Sequence, residues 1–125
     1  MLKKISNSFV PVLIWALIIV VGSLLSSSKV PSIAVSDKGI HFVFYAIFAF
    51  LLYFPVYRTK KIAFSFLGPA VIVVLIGFTF GALIELVQDR YIVGRFGEWL
   101  DLVANSLGLL VGALVGAILK RKAVL

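Results

Sequence analysis

Three groups of residues in this 125-residue chain have types and spacings suited to chemistry. The first is Asp37, Lys38, His41 and Tyr45; the second is Glu85 and Gln88; the third is Asp101 and Asn105, preceded by Arg95. Steps of three and four residues put each group on one face of a helix. A histidine oriented by a carboxylate can relay protons near neutral pH. His41, Glu85 and Asp101 are thus the candidates for acid–base catalysis if the protein is an enzyme. Asp37, Lys38, Tyr45, Gln88, Arg95 and Asn105 are the candidate binding residues. Arg95, in a glycine-flanked link, suits a bidentate contact to phosphate or carboxylate.

Each group also has a plain structural explanation. Asp37 at a helix start is favoured by the macrodipole, and Lys38 and His41 can snorkel to an interface. A buried Glu85 should be paired with Arg90 or Arg95, or protonated. Asn105 can bond across to Glu85 or Gln88, as amides often do between membrane helices. A hard or borderline ion would suit His41 with Asp37, Glu85 and Asp101. One histidine among scattered carboxylates is a weak signature, so no metal is assigned. Nothing in the sequence identifies a cofactor, and the absence of cysteine excludes disulfides and thiolate chemistry.

The elements that must position these groups are membrane helices. The chain is 62% hydrophobic and 14% charged, and its apolar residues fall in long blocks. That pattern marks an all-α integral membrane protein, one domain over residues 1–125, with four transmembrane helices. The first span covers Phe9 to Leu25, near the lower limit for crossing. A signal peptide is its rival, from the basic start and the serines at 26–28, but the apolar run is long for one. The second span covers Gly39 to Phe54, with Ser36 or Asp37 as N-cap and Tyr53 and Tyr57 as interfacial anchors. The third starts at Pro69 and ends near Gln88. The fourth starts near Glu98 or Trp99 and ends before Lys120.

Charge orients the four spans. One side holds Lys3, Lys4, Arg58, Lys60, Lys61, Lys120, Arg121 and Lys122, eight cations with no acid. The other side holds every acid and four cations. The positive-inside rule then places both termini in the cytoplasm of a cell whose plasma membrane the protein crosses. The net charge of +7 is a lipid-facing patch rather than a nucleic-acid surface. Three polar stripes therefore meet at the outer face. Two glycine runs, Gly77 and Gly81 on span three and Gly108, Gly112 and Gly116 on span four, predict that these spans pack closest, glycine against glycine.

The ordered set resembles a known family. Asp37-Lys38-Gly39-Ile40-His41-Phe42 with Tyr45, Glu85-Leu86-Val87-Gln88, Gly94-Arg95, and Asp101 with Asn105 and Gly108 is similar to the VanZ-like pattern, over Ser36 to Gly116. The resemblance implies a small membrane protein of the cell envelope. It also implies a link to antibiotic resistance, since the founding member is associated with resistance to the glycopeptide teicoplanin. It carries no defined chemistry. Taken with that resemblance, the residues suit two functions. One is a pocket facing outward that binds a lipid-linked or peptidoglycan-related anionic group, such as a cell-wall precursor, through Lys38 and Arg95. The other is a membrane-embedded acid–base enzyme, a hydrolase or transferase, acting on a lipid-anchored substrate. A transporter fits least, because the polar residues stop near one surface. Membrane lipids are the expected partners in either case.

Overall fold

The structure, a computed structural model, describes residues 8–25, 37–59, 65–92 and 98–124. They form four helices: α1 (Val10–Leu24), α2 (Asp37–Arg58), α3 (Leu67–Tyr91) and α4 (Trp99–Val124). Helices α2, α3 and α4 are long and apolar enough to cross a membrane. With 15 residues, α1 is shorter. At 1.5 Å per residue it spans about 22 Å, less than the roughly 30 Å hydrocarbon core.

Local chemistry sets the helix ends. Val10 N–H donates to Ser8 Oγ at 3.2 Å, and Gly68 N–H donates to Ser65 Oγ at 3.0 Å. Helix α3 begins two residues before Pro69, which sits in the first turn where a missing N–H leaves no bond unmade. Helix α2 runs past the predicted end at Phe54, through Pro55 to Arg58. Proline removes a single interior bond, and Thr59 closes the end by donating its N–H to the Val56 carbonyl at 3.0 Å. Helix α4 likewise continues beyond Lys120. Its last-turn Arg121 and Lys122 favour the helix C-terminus.

The bundle core is apolar and unusually rich in aromatics. Phe48 stacks on Phe80 at 5.2 Å between centroids, and Tyr45 tilts against both. Tyr53, predicted to anchor at the interface, is fully buried and donates its hydroxyl to the Phe66 carbonyl at 2.9 Å. Tyr57 stacks between Tyr53 and Phe66, with Lys120 Nζ 5.2 Å from its ring centroid. The outward surfaces carry Leu13, Leu17, Val71, Leu75, Leu83 and Leu107, all exposed. Helices apolar on all sides are what a lipid environment selects.

The glycine pairing differs from the one predicted. The closest approach is between α2 and α4. A Cβ at Gly108 would overlap the Phe42 carbonyl oxygen, and one at Gly112 would overlap the Ala46 carbonyl oxygen. A Cβ at Gly116 would lie 2.8 Å from the Tyr53 ring. The glycines of α3 do a different job. Gly77 makes room for the Leu109 side chain, and Gly81 for Asn105 and Tyr45. Bare backbone thus admits backbone on one helix and side chains on the other.

Among the described residues, α1 packs on α2 and α3 but not on α4. Two directed bonds hold it there. Trp15 Nε1 donates to the Phe44 carbonyl at 2.9 Å, with its ring stacked 5.2 Å from that of Phe44. Gln88 Nε2 donates to the Ser23 carbonyl at 2.6 Å.

Candidate functional site

The start of α2, the end of α3 and the start of α4 lie together. Short helical steps aim Asp37, Lys38 and His41 from α2 toward Asp101 and Asn105 on α4. Lys38 Nζ donates to Asp101 Oδ1 and, at 2.6 Å, to Glu98 Oε2. It also lies 3.9 Å from Asp37 Oδ2. One ammonium therefore faces three carboxylates. The Asp101 side chain is only 7% exposed, so Lys38 neutralises a charge that water barely reaches.

His41 sits one turn deeper. Its Nδ1 lies 2.9 Å from Asn105 Oδ1, and its Nε2 lies 3.6 Å from Asp101 Oδ2. With Nδ1–H donating to the amide oxygen, Nε2 is directed to the carboxylate. Protonation at Nε2 would create an ion pair with Asp101. Asn105 is almost wholly buried, and its amide nitrogen has no hydrogen-bond partner among the described residues. Its oxygen serves His41, where the sequence pointed to Glu85 or Gln88 as partner.

Glu85 enters from α3 and is 9% exposed. Its Oε2 accepts the Glu98 N–H at 3.2 Å. The carboxylate thus closes a free donor at the start of α4, where the helix dipole also favours negative charge. Its Oε1 is buried with no partner among the described residues. No described ion pair joins it to Arg90, contrary to one of the predicted pairings. Arg95, the other predicted partner, lies outside the described residues, so its placement is not assigned.

The remaining site candidates divide by contact. Tyr45 is buried beside Gly81, sharing that space with Asn105. Gln88 directs its amide to the α1 backbone, a packing contact rather than one within the cluster. Glu98 is a member that the site assignment from sequence omitted. Its position three residues before Asp101 puts both on one face, and that spacing was the available signal. A shallow groove of about 270 Å³ lies alongside, lined by Ala82, Glu85 and Asp89 from α3 and by Glu98, Trp99 and Leu102 at α4.

Asp37, His41 and Asp101 each place one donor atom within 4.8 Å of the others, a spacing that a cation could bridge. Lys38 engages Asp101 Oδ1 and lies 3.9 Å from Asp37 Oδ2, so a cation bridging these residues would sit beside an ammonium. The arrangement can orient a histidine beside Asp101 and present a buried carboxylate oxygen and a buried amide donor.

The hydrogen bond from Lys38, reinforced by its charge, holds the Glu98 carboxylate below its ordinary value of 4.5. A depressed folded-state value contributes stability above the unfolded value, and this is lost as pH falls through the folded one. Thermal unfolding in detergent from about pH 6 to about pH 3 should therefore show Glu98→Gln losing less stability than the parent below about pH 4.5. Identical profiles would mean that the Lys38–Glu98 contact does not form.

The VanZ/LLP1 family model matches residues 3–120, nearly the whole chain. No curated protein and no solved structure matches it. Because that match spans α1 through most of α4 and all of the polar cluster, the chain belongs to the VanZ/LLP1 family.

Proposed function

We propose that this protein crosses the plasma membrane four times with both termini cytoplasmic, and that its polar cluster opens outward to bind a lipid-linked or peptidoglycan-related group. The charge asymmetry supports the orientation. For α1 to be the first span, its short apolar length must be met by local thinning or by snorkelling of its flanks. The observation that carries binding is the pair of buried atoms, Glu85 Oε1 and Asn105 Nδ2, left without partners among the described residues. Native interiors leave few such atoms open, and each is a place where a bound group could supply the missing partner. Lys38 is engaged by its three carboxylates, so an anionic part of the ligand falls to Arg95.

On this reading the protein shares the founding member's association with resistance to the glycopeptide teicoplanin. Expression in a teicoplanin-susceptible host should raise the inhibitory concentration severalfold. Glu85→Leu and Asn105→Leu should each remove that gain at unchanged membrane abundance. No change on expression would contradict the resistance link, and full protection by both variants would contradict the site.

One observation favours a second reading, that of an acid–base enzyme. His41 is fixed by Asn105 with its other nitrogen toward Asp101, and Glu85 stands nearby as an acid. His41→Gln separates the two readings, because it keeps a polar side chain at that position but removes the imidazole that proton transfer needs. Protection retained in His41→Gln supports binding, and protection lost in it at unchanged membrane abundance supports proton transfer.

A further inference from the structure

The geometry points to an ammonium-binding groove between the end of α3 and the start of α4, shaped for the headgroup of a lipid bearing a primary amine. This deepens the binding function proposed above and rests on it, by giving a chemical class to the part of the ligand that meets Glu85. The groove's ionisable lining is acidic throughout: Glu85, Asp89 and Glu98, with no cation among the described lining residues. At its inner wall Glu85 is more than nine-tenths buried, and its Oε1 has no partner among the described residues. A carboxylate oxygen in that state is costly unless a donor or cation meets it.

Two further features select a lipid amine over a soluble one. Trp99, which is 74% exposed, and the exposed Leu86 line the same groove, so it is bordered by apolar surface. Trp99 also brings an aromatic face of the kind that attracts ammonium groups. An ammonium has three donors and no acceptor, which matches a wall of acceptors. Glu98 keeps Lys38 on one oxygen at 2.6 Å, so the groove does not have to give up that ion pair to admit a second cation. A quaternary ammonium would be attracted to Trp99 but has no N–H to give Glu85, which sets the primary amine apart.

The test uses the purified full chain in detergent, titrated with phosphatidylethanolamine, phosphatidylcholine or phosphatidylglycerol and read by native mass spectrometry. Phosphatidylethanolamine should bind in preference to both others. Glu85→Gln should weaken it about tenfold, as loss of one charge-assisted contact implies, and should leave phosphatidylglycerol unchanged. Should Glu85→Gln fail to fold, the exposed Asp89→Asn and Trp99→Ala replace it, each with a smaller loss confined to phosphatidylethanolamine. Equal binding of the three lipids, or equal losses across them in the variants, overturns the amine assignment. Such a failure leaves the resistance assay above unaffected, whereas loss of site dependence in that assay with amine selectivity intact would reject the proposed function instead.

Discussion

Gly112→Ala should abolish the folded bundle, while Gly77→Ala should leave most of it intact. The two substitutions add the same methyl group to glycines on packed helix faces. At Gly112 that methyl lands on the Ala46 carbonyl, overlapping its oxygen and lying 2.8 Å from its carbon. Backbone cannot rotate out of the way, so α2 and α4 must separate along the helix pair that meets most closely. The cost should reach or exceed the upper end of the about 1–3 kcal/mol typical of overpacking. At Gly77 the new methyl meets the side chain of Leu109, which can change rotamer. Gly22 supplies the control, since a Cβ there has nothing within 4 Å and Gly22→Ala gains roughly 1 kcal/mol of helix propensity. Folded yield and melting temperature in detergent should rank Gly22→Ala above Gly77→Ala and both far above Gly112→Ala. Equal losses at Gly77 and Gly112 would contradict an intimate α2–α4 contact.

Lys38→Met should cost about 3–5 kcal/mol, the usual penalty for leaving a buried charge without its partner. The substitution strands Asp101, whose side chain is 7% exposed, and leaves it facing Glu98 and Asp37. The penalty comes from the orphaned carboxylate rather than from the lost lysine. Lys38→Met combined with Asp101→Asn should therefore recover much of the stability, a coupling that a double-mutant cycle in chemical or thermal unfolding measures. Strictly additive losses would show that Lys38 and Asp101 act independently.

The positions of the apolar helix cores were legible because long hydrophobic blocks have few alternative structures in lipid. Their ends were harder. The predicted end of the second span is Phe54, yet α2 passes through Pro55 to Arg58 with a single bond lost near its last turn. The glycine stripe on α4 marked a close approach without naming the neighbour. Periodicity identifies the bare face, but only the assembled bundle shows that Phe42 and Ala46 meet it. Tyr53 had the composition of an interfacial anchor and instead fills the core, because the Phe66 carbonyl satisfies its hydroxyl there. The polar stripes indicated which residues share a face and a depth. They did not indicate partners, so Asn105 turned out to serve His41, and Gln88 the α1 backbone. Backbone groups such as the Glu98 N–H and the Ser23 carbonyl are invisible to side-chain patterns, and both take a site candidate's polar group.

The central claim is that the cluster at the start of α2 faces the outside of the cell. The chain has no cysteine, so a single introduced thiol reports its own side of the membrane. Asp37→Cys is well placed, at the first residue of α2 with a side chain 67% exposed. Intact cells treated with a membrane-impermeant maleimide should label Asp37→Cys as fully as permeabilised cells do, while Arg121→Cys at the other end of the bundle labels only after permeabilisation. Labelling of Asp37→Cys that requires permeabilisation would put the cluster in the cytoplasm and contradict the account.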